Sequence, residues 1–240
     1  MNAACDQSDF VLYYRTRILR NVFMMTDYLL KWAPDGLCLE KPGDTSRPLF
    51  IDFSSTRLNF RRENNSLRKE ALIRAMGLKS HSTYRIVDAT AGLGRDSFIL
   101  ASLGFQVCLI ERSPVIHALL ADGIRRGLQD EALQPIIERM TLIQADAKNW
   151  LEGLTEKPDI IYLDPMFPVR KKSALSKIEM RIFHEVVGDD PDADVLLQTA
   201  LACARARVVV KRPRLAKPLL GRAPTYFLAG SSSRFDVYIT

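Results

Sequence analysis

The residues with the most chemistry in them are Asp164-Pro165-Met166-Phe167-Pro168. They follow the apolar run Ile160-Ile161-Tyr162-Leu163, so they read as a loop at the carboxyl end of a strand, where open α/β sheets bind ligands. Asp164 and the carbonyl of Pro165 can accept hydrogen bonds from an amine whose lone pair is delocalised into a ring. Accepting those hydrogens localises the pair on nitrogen. Pro165 and Pro168 restrict the backbone and hold the acceptors in one alignment. Phe167 offers a face on which a base drawn out of its stack can lie, worth about 1 to 3 kcal/mol. Asp164, Pro165 and Phe167 are therefore the candidate catalytic residues, and a proline-rich turn with a buried Phe is the plainer account of the same stretch.

A second constellation lies upstream, in Asp88-Ala89-Thr90-Ala91-Gly92-Leu93-Gly94-Arg95-Asp96. Small residues where a strand turns into a helix let a ligand approach the backbone. The dinucleotide pattern G-x-G-x-x-G needs a third glycine where this chain has Ser97, and a pyrophosphate would meet Asp96 at the helix start. S-adenosylmethionine has no phosphate and carries an ammonium and a sulfonium, so Asp88 and Asp96 suit it. The next strand ends in Glu111-Arg112, and a carboxylate about twenty residues beyond the glycines can take both ribose hydroxyls. Asp146, before Ala147, is placed either to accept from an adenine amine or to cap a helix, and both can hold. The expected cofactor is S-adenosylmethionine, with Asp88, Gly92, Gly94, Glu111 and Asp146 around it.

These loops need a sheet to present them. From Tyr84 onward, apolar strands alternate with amphipathic helices, the mark of parallel βαβ units. Strands are expected at Arg85 to Thr90, Gln106 to Glu111, Met140 to Ala145, Asp159 to Asp164 and Arg207 to Lys211. Helices are expected at Asp96 to Leu103, Pro114 to Leu128 and Asp194 to Ala204. Thr225 to Ala229 and Arg234 to Thr240 read as an antiparallel hairpin at the sheet edge. The fold class is thus α/β, a Rossmann-like sheet, mostly parallel with an antiparallel C-terminal edge. Before it, Leu37 to Lys41 and Pro48 to Phe53 flank the turn-rich Pro42 to Arg47 and read as a β-hairpin. Leu67 to Met76 has helical spacing ended by Gly77. A small N-terminal subdomain over residues 1–80 and a methyltransferase domain over 81–240 follow. Phe10 to Trp32 is taken as a core helix.

The formal charge of +6 favours a polyanionic partner. Arg170, Lys171, Lys172 and Lys177 follow the reaction loop, Arg61 and Arg62 precede the first sheet strand with Arg68 and Lys69, and Lys211, Arg212 and Arg214 follow the fifth strand. Basic residues rimming a base-sized pocket would hold phosphates while the pocket selects the base, although such runs are often only solvated faces. Cys5, Cys38, Cys108 and Cys203 lie far apart without a C-x-x-C pair, so neither a metal site nor a disulfide framework is expected. Arg15, Arg17, Arg20 and Asp27 break the early apolar stretch too densely for a membrane span, and no signal peptide is evident, so a cytoplasmic location is expected.

Val87 to Asp96, Glu111-Arg112 and Tyr162 to Pro168, followed by Lys172-Ser173-Ala174-Leu175, together closely resemble the RsmJ-type small-subunit (16S) rRNA guanine-N(2)-methyltransferases. The similarity continues through Glu179-Met180-Arg181 and Val208 to Pro213 to Arg234-Phe235-Asp236-Val237-Tyr238. Asp164 to Phe167 is also similar to the D/N-P-P-Y/F loop of methyltransferases that modify exocyclic base amines, with Met166 in place of the second proline. The resemblance implies a class I methyltransferase fold, S-adenosylmethionine as cofactor, and 16S rRNA or the small ribosomal subunit as partner. It implies cofactor positions at Arg95 and Asp96, Glu111 and Arg112, Asp146 and Ala147, and Asp164. Two other functions fit the residues: methylation of another amine or amide, such as DNA adenine or a protein glutamine, and an RNA-binding module without turnover. Intact acids at Asp88, Glu111 and Asp164 argue against the last.

Overall fold

Pro34-Asp35-Gly36 is a turn signal, with Pro at the first corner and Gly36 at φ 128°, and in the computed structural model it joins Leu29–Ala33 (β1) to Gly36–Glu40 (β2) in an antiparallel hairpin. The structure describes residues 27–45, 47–63, 70–78, 83–167, 178–230 and 233–240. The hairpin corrects two expectations. Leu29 to Trp32 is strand rather than helix, and the rest of the proposed Phe10 helix, up to residue 26, lies outside the described residues. The strand from Leu37 pairs backwards with β1, while Leu49 makes a single bridge to Leu39. The tight turn at Pro34-Asp35 closes a ladder of five residue pairs, whereas the longer Pro42 to Arg47 connection closes one pair.

Helices Thr56–Glu63 (α1) and Ala71–Met76 (α2) lead into the main sheet, and Gly77 ends α2 in the left-handed conformation at φ 61°. The sheet then alternates with helices: Arg85–Asp88 (β3), Arg95–Ser102 (α3), Gln106–Glu111 (β4), Pro114–Gly127 (α4), Gln134–Ile137 (α5), Met140–Gln144 (β5), Ala147–Glu152 (α6) and Ile160–Leu163 (β6). Ile178–Val187 (α7), Ala193–Cys203 (α8), Arg207–Pro213 (β7), Tyr226–Ala229 (β8) and Ser233–Ile239 (β9) complete it. The seven strands lie in the order β5-β4-β3-β6-β7-β9-β8, parallel up to β7 and antiparallel at β9 and β8. The expected strands and their edge hairpin fall within a residue or two of these bounds.

Successive strand residues face opposite sides, so both faces of a parallel sheet must be covered. Ile86, Leu109, Tyr162 and Val209 share one apolar cluster with α3, α4 and the β1–β2 hairpin. Val87, Ile110, Ile161 and Val208 share the other with α6 and α8. The hairpin is pinned by one fully buried carboxylate. Asp122 of α4 accepts from the Leu37 backbone N–H at 2.9 Å and pairs with Arg125 and Arg126, each at 2.8 Å. Order reverses between β3 and β6, which leaves a crevice beyond their carboxyl ends.

Candidate active site

A cleft of about 480 Å³ occupies that crevice, lined by the turns after β3, β4 and β5, by the loop after β6, by residues of α7 and the start of α8, and by Lys211 of β7. Its floor is the turn from Asp88 to α3. Gly92 and Gly94 adopt φ of 52° and 69°, and a Cβ on Gly94 would stand 2.7 Å from Leu120 Cδ1. Only glycine fits there without displacement. The Asp88 side chain is buried beneath the turn, accepting from the Thr90 N–H and the Ser97 hydroxyl. Burial raises its pKa to about 7. Asp88 thus shapes the turn from below.

Glu111, at the end of β4, accepts from the Gly92 N–H at 2.9 Å through Oε2 and from the Ser113 N–H at 2.7 Å through Oε1. Each oxygen keeps a lone pair for another donor, as a vicinal diol would require. Burial raises its pKa to about 7 as well, against the pull of those two amides. Arg112 turns away to Asp190 and Asp192 while still lining the cleft. Asp146 caps α6 through the Asn149 N–H at 2.9 Å and stands with Ala147 and half-buried Arg95 along the same wall.

The opposite wall carries the reaction loop. Asp164 donates its backbone N–H to Thr90 Oγ1 at 2.6 Å, and its carboxylate accepts from Lys211 Nζ at 2.7 Å. The same ammonium reaches Asp96 at 3.0 Å, and Asp96 also accepts from the Tyr162 hydroxyl at 2.8 Å. Burial pushes the Asp164 pKa up, with Lys211 opposing it, and the two carboxylates drive that of Lys211 up. Asp190 holds the loop from outside, accepting from the Met166 N–H at 2.6 Å and donating its own N–H to the Met166 carbonyl at 3.2 Å. Pro165 is buried behind Asp164.

Three expectations change here. Lys211 is no exposed rim: it sits inside the cleft between two carboxylates, because a strand residue next to Val210 must face where Asp164 faces. Arg212, one position on, points to the other side of the sheet and is 7% exposed. Its guanidinium lies 3.9 Å from the centre of the Phe167 ring, so that face of Phe167 is already covered. Met166, rather than Phe167, lines the cleft, as does Phe183. Arg170, Lys171, Lys172, Lys177, Arg68, Lys69 and the side chains of Arg61 and Arg62 lie outside the described residues.

Tyr162, Thr90, Asp190 and the cleft position of Lys211 escaped the sequence reading. Lys211 was within reach of it: in a parallel β6–β7 pair with Leu163 beside Val210, Asp164 and Lys211 are next neighbours. Asp190 carried no signal, since nothing in Gly188 to Asp192 announces a contact with a loop twenty-four residues earlier.

The residues present fit S-adenosylmethionine. Acids gather at the cleft around a glycine turn, the doubly anchored Glu111 has acceptors to spare, and the ligand to be held carries two cationic centres. Sheet order and this cleft define a Rossmann-like class I methyltransferase that uses S-adenosylmethionine. Residues 18–240 match the model of SAM_MT, a family of SAM-dependent methyltransferases. The ribosomal RNA small subunit methyltransferase J of Thioalkalivibrio sulfidiphilus is 53% identical over 207 residues, 85% of this chain and 81% of that protein. The protein of the same name from Marinobacter nauticus is 48% identical over 213 residues, 88% of this chain and 77% of its own length. The crystal structure of a SAM-dependent methyltransferase from Neisseria gonorrhoeae is 38% identical, with a TM-score of 0.65 over 85% of this chain and 78% of that one. The chain belongs to the ribosomal RNA small subunit methyltransferase J family of SAM-dependent methyltransferases.

Proposed function

We propose that the enzyme methylates the exocyclic 2-amino group of a guanine in small-subunit (16S) ribosomal RNA, in the cytoplasm. The observation that carries this reading is the placement of Asp164. Its carboxylate is anchored by Lys211 and its backbone by Thr90, at the carboxyl end of β6 and on the cleft wall facing Glu111. When bound, S-adenosylmethionine supplies an electrophilic methyl group. Asp164 and the Pro165 carbonyl accept the amine hydrogens and keep the nitrogen lone pair free of the ring. The anionic carboxylate also offsets the positive charge that grows on that nitrogen, in surroundings where little solvent screens it. The names of the relatives support small-subunit rRNA as the substrate. Arg170, Lys171, Lys172 and Lys177, with Arg61 and Arg62, are the side chains proposed to hold RNA phosphates.

The test is transfer of labelled methyl from S-adenosylmethionine to small subunits and to bare 16S rRNA, followed by nucleoside analysis. N2-methylguanosine should carry the label. Asp164→Asn should lower the single-turnover rate about 100-fold to 1000-fold, the usual cost of one preorganised contact, with cofactor affinity little changed. Label in adenine or in protein, or a parental rate for Asp164→Asn, would overturn the proposal.

A further inference from the structure

We propose that Lys211 is a positioning residue of the reaction: through a bridge shared with Asp96 it holds the Asp164 carboxylate ionised and fixed for the substrate amine. The inference rests on the reading of Asp164 as the amine's acceptor and adds how that acceptor is kept competent.

Lys211 and Asp164 occupy neighbouring positions on the paired strands β7 and β6, so the backbone ladder sets their approach. The ammonium stands 2.7 Å from Asp164 Oδ2 and 3.0 Å from Asp96 Oδ2. Among the described residues, the other groups set against Asp164 are acidic or neutral. Asp96 comes from α3, Asp88 from β3, Asp190 from the turn before α8, and the Tyr162 hydroxyl from β6. Among the described residues, Arg95, Arg112 and Lys148 also line the cleft, and Arg112 is held by Asp190 and Asp192. Carboxylates gathered this closely take up protons unless a cation separates them, and a protonated Asp164 would present a donor and a much poorer acceptor to the amine on that oxygen. Lys211 is the cation in contact with two of them. A lysine bridged this way has its charge shared between two carboxylates, and moving out to an RNA phosphate would leave them uncompensated.

The test compares Lys211→Met and Lys211→Arg with the parent and with Asp164→Asn. In protein labelled with ¹³C at aspartate carboxyls, the Asp164 resonance is the one lost in Asp164→Asn. Its titration midpoint in ligand-free protein should rise by about one to three pH units in Lys211→Met, the usual effect of a charge at this distance. The acid limb of the single-turnover pH–rate profile should move up with it, so that raising the pH recovers part of the lost rate. Lys211→Arg should return both midpoint and limb toward the parent. If Lys211→Met folds poorly by circular dichroism, Lys211→Gln gives the same neutral comparison. An unmoved midpoint and limb overturn the inference, including the case of a rate lowered equally at every pH. A salt dependence of RNA binding shallower by about one unit in Lys211→Met would also overturn it, because that marks a phosphate contact. A parental rate for Asp164→Asn instead removes the role given to Asp164, and the carboxyl titration still decides whether Lys211 holds it ionised.

Discussion

Cofactor affinity should fall steeply with acid, and the reason lies in Glu111. With its pKa at about 7 before anything binds, this carboxyl is half-protonated at neutral pH. Its two oxygens each already take a backbone N–H, from Gly92 and from Ser113, so a proton added to either one displaces an amide or uses the remaining lone pair. A site that requires the ionised form weakens as that form is depleted, with apparent Kd rising as the inverse of the competent fraction. At pH 8 about nine-tenths of the sites are competent, and at pH 5.5 about 3%, so affinity should be roughly 30-fold weaker at the lower pH. The direction is fixed by the sign of the shift: a raised carboxyl pKa places the loss below about 7 rather than near 4. Calorimetry with S-adenosylhomocysteine across this range, in buffers of different ionisation enthalpy, should also register proton release below pH 7. Glu111→Gln is the control. Its amide cannot accept from both N–H groups, so binding should be weak throughout, and titration of the ligand's own amino group appears in both proteins and cancels from their ratio. An affinity ratio of parent to Glu111→Gln that stays flat from pH 5.5 to 8 would refute the reasoning.

Asp122→Ala should cost about 3 kcal/mol, because it strands Arg125, Arg126 and the Leu37 N–H around a buried position. A thermal midpoint lowered by roughly 6 to 12 °C would match a chain of this length, and near-parental stability would contradict it. Asp190→Ala should lower the single-turnover rate by up to about 100-fold by freeing the Met166 backbone, with a smaller change in cofactor affinity. Asp190→Asn, which keeps an acceptor for that N–H, should retain more of the rate, and equal rates for the two variants would count against the positioning role.

The sheet was legible because period-2 burial on both faces leaves near-continuous apolar runs, as in Ile160 to Leu163 and Val208 to Val210, with turn chemistry between them. The glycine turn and Glu111 were legible because their demands are local: a positive φ at Gly92 and Gly94, and an acid at a strand end. The N-terminal hairpin was misread because two turn signals compete around Leu37 to Lys41, and the closer one at Pro34-Asp35-Gly36 takes the strand. Lys211 and Arg212 were misread because charge in a sequence says nothing of facing. Adjacent strand residues look to opposite sides, so one enters the cleft and the other packs on Phe167.

That pair of neighbours also shows how the site is held together. The cofactor wall and the reaction wall come from different strands, and polar bridges span them, beginning with the Asp164 N–H on Thr90 Oγ1. Asp96 joins Tyr162 and Lys211 to Asp164. Asp190 joins Arg112, next to Glu111, to the Met166 backbone. Arg212 then closes over Phe167 from the far side of the sheet. A displacement of the Asp164 loop would separate charges in a cleft that screens them poorly, so the loop is held in place by its own neighbours before substrate arrives. Preorganisation of that kind is what alignment of an amine against a transferable methyl demands, since a misplacement of about 1 Å can cost 100-fold in rate. Met166 fits within this arrangement: the second proline of a D-P-P loop has no N–H, and here that N–H is the group Asp190 accepts from. The residue that departs from the amine-methyltransferase pattern is thus the one that supplies the loop's second anchor.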